Sequence, residues 1–496
     1  MNTLYANEYG QSAMLRFFRN AEPQSMHYDE FRFYAQALAA GFMERKVSCI
    51  LTILPNGPDW DIIDAACYWS GSVHVSLPPL AEADLMRIVI SDNKPQLILI
   101  GYEFVYRIVG KIVTSAAIKS EMFLIHSTHG LNSLYQSSFF LTKSFRLPTL
   151  PGESTQTIIY TSGSAGVSKG VILSRNNWLS AINVFSKARF FQDCNKALSL
   201  LPVSFSGERK LNYSYKANGI TICYPSPLQN ELESLLFYKP DVMAVAPFLL
   251  RKIQNQVLET GIFPSFLKAI ICGGASLAPS TSAFFEEKGI IIYEVYGLTE
   301  TASLISFNDY GTKKTGTVGQ VAKEVNIRIE ADGELLCKAP NNTTGYKNNE
   351  PATTELLTQD GYLRTGDIVS LDSEGYLTIC GRKKNILKGP HGLYILPELI
   401  EHKLMECNEV NSAIVCCDEE QKLSALLWLN NVDESKKQEA AAWVIKCNKN
   451  LQAAEKIERI YIFPFRDSIP LTISYKMKRE ELLKRLKESE RLDIKE

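Results

Sequence analysis

The chain has 496 residues, an apolar fraction of 45% and a formal net charge of −1 at pH 7. Because a single hydrophobic core stops growing at roughly 250–300 residues, this length predicts more than one folding unit. The balanced charge argues against nucleic acid as a partner. No apolar stretch approaches the ~18 residues that a transmembrane helix requires, so we expect a soluble protein, for which peripheral contact with a membrane surface stays open.

The cysteine pattern indicates a cytoplasmic protein. Eleven cysteines are scattered along the chain without a Cys-x-x-Cys pair, and only Cys416 and Cys417 are adjacent. This pattern predicts reduced thiols rather than a disulfide framework or a zinc site. The first residues also lack the basic and apolar segments of a signal peptide.

Short apolar runs alternate with helical patterns through the first part of the chain. Residues 48–54 predict a strand, residues 61–70 a helix and residues 96–100 the next strand. Further predicted strands of this kind are residues 242–246, 269–272 and 290–294. The alternation predicts a mostly parallel sheet covered by helices, in which ligands collect at the carboxyl ends of the strands.

A loop rich in glycine and hydroxyl groups lies between two apolar runs. Residues 160–170 read Tyr-Thr-Ser-Gly-Ser-Ala-Gly-Val-Ser-Lys-Gly. Glycines let the backbone approach a ligand closely, and such loops present N–H groups to anions. The position of Lys169 does not match the P-loop pattern, and the flanks predict strand–loop–strand. Taken alone, the loop is as consistent with a surface turn as with phosphate binding.

From about residue 316 the pattern changes to short strands separated by Asp-Gly and Glu-Gly turns, which is typical of antiparallel sheets. A smaller α+β region follows the basic tripeptide 382–384. It has predicted helices near residues 397–405 and 434–447, predicted strands at 413–417, 424–429 and 459–463, and a charged terminal helix. We therefore expect a first domain over residues 1–383, with a β-rich subdomain at about 316–381, and a second over 384–496.

Five further segments carry polar residues that a scaffold has little need of. They are Tyr296-Gly-Leu-Thr-Glu-Thr301, Gly361-Tyr-Leu-Arg-Thr-Gly-Asp367, Gly381-Arg-Lys-Lys-Asn-Ile-Leu-Lys388, Ile395-Leu-Pro-Glu-Leu-Ile-Glu401 and Ile469-Pro-Leu-Thr-Ile-Ser-Tyr-Lys-Met-Lys-Arg479. With the loop 160–170, they resemble the ordered motifs of the adenylate-forming superfamily of AMP-binding enzymes, which includes acyl-CoA synthetases, peptide-synthetase adenylation domains and luciferases. The resemblance covers nearly the whole chain.

Two features are similar to the long-chain acyl-CoA synthetase branch. Residues 201–209 read Leu-Pro-Val-Ser-Phe-Ser-Gly-Glu-Arg, which looks like the Leu-Pro-x-x-His-x-x-Glu-Arg element of that branch. The spacing from Arg382 to Pro397 also looks like that branch. The resemblance implies an α/β fold: a large domain of mostly parallel sheets covered by helices, a small β-barrel-like subdomain and a small mobile α+β domain.

The activity implied by the resemblance is a ligase reaction in two steps. A carboxylic acid, with a fatty acid as the first expectation, reacts with ATP and Mg²⁺ to give an acyl-adenylate and pyrophosphate. The acyl group then passes to the thiol of coenzyme A or of a pantetheine-bearing acyl carrier protein. The small domain is expected to rotate between the steps about Lys384.

The resemblance also assigns roles by position. Pyrophosphate-side contacts are implied for Thr161, Ser162, Gly163, Ser164, Gly166 and Lys169. Glu300 is expected to hold Mg²⁺, with Thr161 as a second metal ligand and Thr299 beside it. Adenine and ribose contacts are implied for Gly273, Gly274, Ala275, Tyr296, Gly297, Asp367 and Arg382. Lys476 is expected to bridge the substrate carboxylate and the α-phosphate, so that Lys476, Glu300 and Thr161 form the catalytic set.

Several positions depart from the family pattern. Ala165, Ser168, Arg175, Phe205, Asn385 and Tyr475 stand where threonine, proline, histidine, histidine, an acid and glycine are usual. These departures keep two alternatives open. One is a catalytically silent protein that binds nucleotide or acyl groups, and the other is a ligase for an aryl or medium-chain acid. A luciferase-type oxygenase is a remote third.

Overall fold

The computed structural model describes most of the chain. The described residues are 12–19, 21–125, 134, 139–141, 148–161, 168–226, 228–388, 393–418, 420–464, 472, 479–484 and 491–493. Among them, no helix has the length and apolar character needed to cross a membrane.

The described helices lie mainly between strands. They are α1 (Tyr28–Glu44), α2 (Pro58–Ser70), α3 (Ala83–Asn93), α4 (Glu103–Ser115), α5 (Arg175–Phe185), α6 (Ser206–Ala217), α7 (Glu231–Tyr238), α8 (Pro247–Thr260), α9 (Pro279–Glu286), α10 (Glu350–Leu356), α11 (Pro397–Leu404), α12 (Glu434–Asn448) and α13 (Arg479–Lys484). Local sequence explains where helix α2 begins and ends. α2 begins with Pro58 at its first position and ends at Gly71, whose φ of 83° closes the helix.

The described strands form five sheets. In chain order they are β1 (Ala13–Arg19), β2 (Glu22–His27), β3 (Cys49–Ile53), β4 (Val73–Leu77), β5 (Leu97–Ile100), β6 (Glu121–Leu124), β7 (Thr155–Thr161), β8 (Lys169–Ser174), β9 (Lys196–Ser199), β10 (Thr221–Cys223), β11 (Val242–Val245), β12 (Ala269–Gly273), β13 (Ile291–Tyr296), β14 (Ser306–Phe307), β15 (Gln320–Val321), β16 (Asn326–Ile329), β17 (Glu334–Lys338), β18 (Leu363–Leu371), β19 (Leu377–Arg382), β20 (Leu387–Lys388), β21 (Tyr394–Ile395), β22 (Val410–Cys417), β23 (Leu423–Leu429), β24 (Arg459–Pro464) and β25 (Arg491–Asp493).

Two large, mainly parallel sheets make up the first part of the chain. One has the order β6-β5-β3-β4-β7-β8, and the other has the order β15-β14-β13-β12-β11-β9-β10-β1-β2. The inner strands of both pair in parallel, as the alternating pattern predicts, and antiparallel strands lie at their ends. The pairing of β7 with β8 confirms the strands predicted on the two sides of residues 162–167.

The antiparallel region and the smaller region follow in the order expected. β16, β17, β18 and β19 form a four-stranded antiparallel sheet. It is an open sheet, since no pairing between its outer strands occurs among the described residues. The last part of the chain packs α11 and α12 with β22, β23 and β24 around a core of its own, which includes Leu404, Leu427 and Ile460. The domain boundary at residues 382–384 stays a prediction.

Candidate active site

Two neighbouring parallel strands, β12 and β13, end at the same edge of the nine-stranded sheet. Close packing explains the glycines that follow. A Cβ on Gly273 would lie 2.6 Å from a carbonyl oxygen of β13, and one on Gly297 would lie 2.4 Å from the backbone of the next turn. Gly274 has a φ of 89°, which favours glycine. The edge thus carries Gly274, Ala275, Tyr296, Gly297 and Thr299, five of the predicted nucleotide contacts.

The residues predicted to bind ribose lie beside Tyr296. The Tyr296 hydroxyl donates to Oδ2 of Asp367 at 2.6 Å, and the Arg382 guanidinium lies 2.7 Å from Oδ1 of the same carboxylate. Asp367 and Arg382 are direct partners in the β18–β19 ladder. Burial, and next the Asp367 carboxylate, raise the pKa of Tyr296. The structure therefore brings the predicted Tyr296, Asp367 and Arg382 into one hydrogen-bonded cluster.

Among the residues predicted to bind phosphate, those that the structure describes lie where β7 and β8 meet. Thr161 ends β7 and pairs with Lys169 at the start of β8. The Lys169 ammonium lies 5.0 Å from the centre of the Tyr346 ring. The Tyr346 hydroxyl in turn donates to Oε1 of Glu300 at 2.8 Å. Tyr346 therefore connects the predicted phosphate lysine with the predicted magnesium carboxylate.

Sequence reasoning missed Tyr346. Its position depends on an irregular segment that adds to the edge of β8. The backbone of Ile172 donates to Gly345 at 3.1 Å, and that of Lys347 donates to Gly170 at 2.7 Å. A Gly-Tyr pair before the helix signal Asn349-Glu350-Pro351 marks a turn, but a turn alone does not reveal which strand it joins.

Glu300 and its neighbours suit magnesium. Mg²⁺ prefers oxygen ligands and keeps several waters, so that one or two carboxylates together with substrate phosphates suffice to bind it. The Glu300 carboxylate accepts one described side-chain hydrogen bond, at Oε1. The short helix Thr299–Thr301, which carries Glu300, packs against β8. Among the described residues, no group of three or more His, Cys, Asp or Glu forms a metal site. The donor set fits a metal that shares its ligands with a nucleotide.

Some predicted site residues lie outside the described residues. These are Ser162, Gly163, Ser164, Gly166 and Lys476, together with the departures Ala165 and Tyr475. The cluster around Asp367 and the cluster around Glu300 are together called the nucleotide edge. It comprises Lys169, Tyr296, Glu300, Tyr346, Asp367 and Arg382.

Two of the described departures have structural partners that are not members of the nucleotide edge. Arg175 stacks on the Tyr68 ring, with its guanidinium carbon 3.7 Å from the ring centre, and donates to the Tyr68 carbonyl oxygen at 2.5 Å. Asn385 donates to Oε1 of Glu398 at 2.6 Å. Phe205 is the residue before the first turn of α6. Both polar substitutions therefore serve packing between elements.

Helix α6 begins beside the nucleotide edge, where the Ser206 hydroxyl donates to Oγ1 of Thr299 at 3.2 Å. Four charged side chains of this helix are exposed by 2% or less, namely Glu208, Arg209, Lys210 and Lys216. Lys216 donates to Asp61 at 2.5 Å. Glu208 accepts from Ser199 at 2.5 Å, and burial raises its pKa to about 8. Burying so many charges in one helix is unusual and requires internal partners.

A second buried cluster surrounds Asp64. Arg209 lies 3.3 Å from Asp64, Nδ1 of His74 lies 2.6 Å from it and the Tyr213 hydroxyl donates to it at 2.5 Å. Burial acts to raise the pKa of Asp64, but Arg209 and the two hydrogen-bonding partners outweigh burial and lower it. The polar network therefore fixes α6 against β4 and α2.

The family follows from a comparison with protein-family models. The model of the AMP-binding enzyme family matches residues 5–347, more than half of the chain. The chain belongs to this family. The match confirms the resemblance to AMP-binding enzymes drawn from the motifs.

Curated relatives cover much of the same region. Long-chain-fatty-acid–CoA ligase FadD15 of Mycobacterium bovis is 26% identical over 431 residues, which are 75% of this chain and 71% of that protein. The 2-succinylbenzoate–CoA ligase of Bacillus mycoides is 31% identical over 374 residues, which are 70% of this chain and 73% of that protein. Both are similar to this AMP-binding enzyme over most of their length.

Solved structures share the fold across nearly the whole chain. The anthranilate CoA ligase AuaEII, in complex with anthranoyl-AMP, has a TM-score of 0.85 and 16% identity and covers 97% of this chain and 96% of that one. ATP-bound MatB from Rhodopseudomonas palustris has a TM-score of 0.83 and 19% identity, with coverage of 98% and 99%. At these identities the likeness shows the fold, and it confirms the predicted α/β class.

Proposed function

We propose that this AMP-binding enzyme activates a carboxylic acid with ATP, releases pyrophosphate and transfers the acyl group to coenzyme A. The observation that carries the proposal is the nucleotide edge. It joins a ribose-type cluster at Asp367 to a phosphate-type cluster at Glu300 through the five residues 296–300. Burial and next the Glu300 carboxylate raise the pKa of Tyr346, and the charge of Arg382 opposes this rise. Both curated relatives are acid–CoA ligases by name, which supports coenzyme A as the acceptor.

The first step is a problem of charge rather than of proton transfer. A carboxylic acid with a pKa near ~4.3 is ionised at neutral pH, so no general base is needed. The carboxylate must attack the α-phosphate of a polyanion, which repels it. We therefore assign catalysis to positioning and to charge neutralisation. Bound magnesium would neutralise phosphate oxygens, and Glu300, with Thr161, would hold it there.

The chain's own residues supply the remaining contacts. Asp367 would exchange its hydrogen bonds with Tyr296 and Arg382 for the two ribose hydroxyls. Lys169 and the loop residues Ser162, Gly163, Ser164 and Gly166 would hold the pyrophosphate side. Lys476 would lie between the carboxylate and the α-phosphate, where negative charge accumulates. Tyr296 and the 273–275 segment would lie on the two faces of adenine.

The second step needs a different arrangement, because a thiol must reach the acyl carbon that Lys476 faces in the first. We propose that residues 384–496 rotate about Lys384 between the steps. Lys384 lies in the short helix Lys383–Asn385, directly after β19. That position leaves Arg382 and Asp367 on the other side of the pivot, so the nucleotide contacts stay intact during the rotation.

A fatty acid is the first candidate substrate. The 201–209 element and the similarity to the fatty-acid ligase FadD15 support it. An aryl acid is the second candidate, which the higher identity of 31% with the 2-succinylbenzoate ligase favours. A carrier-protein thiol is the alternative acceptor.

A panel of acids tests the proposal. Pyrophosphate release is measured with ATP and Mg²⁺ for fatty acids of increasing length, benzoates and dicarboxylic acids, with and without coenzyme A or a carrier protein. We expect one class of acid to raise the rate, and mass spectrometry to identify the acyl thioester formed with coenzyme A. A flat response to every acid would contradict ligase activity and favour a silent nucleotide-binding protein.

A further inference from the structure

The turn that follows Glu300 is strained. Ala302 and Ser303 are consecutive non-glycine residues with φ values of 45° and 58°. A left-handed backbone costs an L-residue roughly 1–2 kcal/mol. Such a pair persists only where the surroundings hold it in place. The turn has backbone hydrogen bonds of its own, such as that from the Ser303 N–H to the Leu298 carbonyl oxygen at 2.8 Å, and contacts from other parts of the chain add to them.

Two of these contacts come from one face of α6. The Ser206 and Ser303 hydroxyls lie 2.6 Å apart. One helical turn later, the Lys210 ammonium donates to the Ser303 carbonyl oxygen at 2.6 Å. From another part of the chain, the Asn341 amide donates to the carbonyl oxygens of Thr301 and Leu304 at 2.6 and 2.8 Å. The turn is therefore tied at its backbone from two elements.

Lys210 is a costly residue at this position. It is 2% exposed, and its ammonium lies 3.7 Å from the centre of the Phe185 ring. Within the described ranges, no carboxylate lies at ion-pair distance from it, whereas the equally buried Lys216 pairs with Asp61. Burial accordingly lowers the pKa of Lys210 to about 7. A methionine would fill the same space without this cost, so the hydrogen bond to Ser303 is what distinguishes lysine here.

We propose that Lys210 is a positioning residue that holds the turn after Glu300 in the conformation that directs Glu300 toward the nucleotide and its magnesium ion. This inference rests on the proposed function, because the magnesium role of Glu300 belongs to it. Lys210 acts through the backbone: its bond to Ser303 fixes the exit of the Thr299–Thr301 helix. Without that bond, the strained turn relaxes and the Glu300 carboxylate moves away from the nucleotide.

Nucleotide binding, measured without turnover, tests the proposal. Isothermal titration calorimetry gives the affinity for ATP with Mg²⁺ and with EDTA, for the wild type and for Lys210→Met. The Mg²⁺-dependent gain is the ratio of the ATP affinity with Mg²⁺ to that with EDTA. We expect this gain to be about tenfold smaller in Lys210→Met, which corresponds to about 1.4 kcal/mol. The affinity in EDTA should change by less than about twofold. Hydrogen exchange of the amides of residues 301–305 should become faster.

A matched control lies on the same helix. Tyr213→Phe removes a buried hydrogen bond to Asp64, away from the turn. We expect it to lower the melting temperature without changing the Mg²⁺-dependent gain or the exchange of residues 301–305. If Tyr213→Phe lowered the gain as much as Lys210→Met does, the effect would be general destabilisation and the proposal would be wrong.

A second variant covers the case in which Lys210→Met does not fold. Lys210→Gln keeps a polar side chain that is one bond too short for the contact with the Ser303 carbonyl oxygen, so we expect the same changes at about threefold, the value of roughly one hydrogen bond. Unchanged Mg²⁺ dependence and unchanged exchange in the folded variant overturn the proposal. If the wild type itself shows no Mg²⁺-dependent gain, the proposed function fails, and the exchange rates alone then decide whether Lys210 holds the turn.

Discussion

The nucleotide edge and helix α6 are both rich in charge, but they use it differently. At the nucleotide edge, Asp367 accepts a hydrogen bond from the Tyr296 hydroxyl, which in the proposed function a bound ribose would replace. In α6, Lys216 and Arg209 are fully buried and pair with Asp61 and Asp64. We infer that a charged side chain whose partners a ligand can replace serves recognition, whereas one with fixed, buried partners stabilises the fold.

The largest effect is expected at Lys476, which in the proposed function lies between the acid and the α-phosphate. Lys476→Ala should lower acid-dependent pyrophosphate release by about 10³-fold, because a charge aimed at the transition state is lost. ATP affinity should change by less than about threefold, since the ground state keeps its other contacts. Lys478→Ala, two residues on, is the control. Release at the wild-type rate would show that the motif assignment is wrong.

A substitution in the ribose cluster should affect ATP rather than the acid. Asp367→Ala removes an acceptor and leaves Tyr296 and Arg382 without it. We expect the KM for ATP to rise by about 10²-fold, which corresponds to two lost charge-assisted hydrogen bonds, with little change in the KM for the acid. Asp332→Ala, in the same part of the chain, removes an exposed partner of Lys383 and the acceptor of the Glu334 backbone N–H. Equal effects of both variants would argue against a ribose role.

The contrast also predicts how stability depends on pH. The pKa of Glu208 is about 8 in the folded protein against an ordinary value of 4.5. Between these values the folded state keeps a proton that the unfolded state has released, so this residue lowers the free energy of unfolding as pH rises. Between pH 6 and pH 8, the free energy of unfolding should therefore fall by about 2 kcal/mol less in Glu208→Gln than in the wild type. Urea unfolding at both pH values measures it, and parallel losses in the two proteins would contradict the prediction.

The proposed rotation predicts that the two steps can be separated. Lys384→Pro fixes φ at the pivot and should slow thioester formation by about tenfold, a moderate conformational effect, while acyl-adenylate formation continues. Lys384→Ala keeps the backbone free and should behave like the wild type. Single-turnover measurements of both half-reactions distinguish the steps. A similar loss in each half-reaction would mean that Lys384 is not the pivot.

The smallest effect is expected at Tyr346. Tyr346→Phe keeps the ring beside Lys169 and removes one hydrogen bond to Glu300. The loss of about 1 kcal/mol should raise the Mg²⁺ concentration needed for half-maximal pyrophosphate release by roughly fivefold. Tyr362→Phe, whose ring packs with the exposed Arg328, should leave this concentration unchanged. A requirement that stays the same in Tyr346→Phe would remove Tyr346 from the site.

Much of the fold followed from the sequence because its signals are local. Apolar runs such as residues 242–246 predicted parallel strands, and these strands now position Tyr296 and the 273–275 segment at one edge. The contribution of Tyr346 could not be predicted, because it depends on the pairing of Tyr346 with Val171, far away in the chain. The roles of catalytic-set residues such as Lys476 stay predictions.

Helix α6 shows the other limit of sequence reasoning. Its residues Ser-Gly-Glu-Arg-Lys-Leu-Asn-Tyr-Ser-Tyr-Lys-Ala are mostly polar, and composition gives no sign that the helix is almost wholly buried. Its burial becomes clear only when Asp61, Asp64 and His74 are brought from other elements to pair with it. The position of Lys210 beneath the Glu300 turn is a consequence of that burial.

Oxygen transfer from the acid to AMP tests the central claim most directly. The best acid of the panel is labelled with ¹⁸O in its carboxylate and incubated with the protein, ATP, Mg²⁺ and coenzyme A. If the carboxylate attacks the α-phosphate and the thiol then displaces AMP, one labelled oxygen must appear in the AMP phosphate, together with the acyl thioester. Unlabelled AMP, or release of ADP instead of AMP and pyrophosphate, would contradict the account.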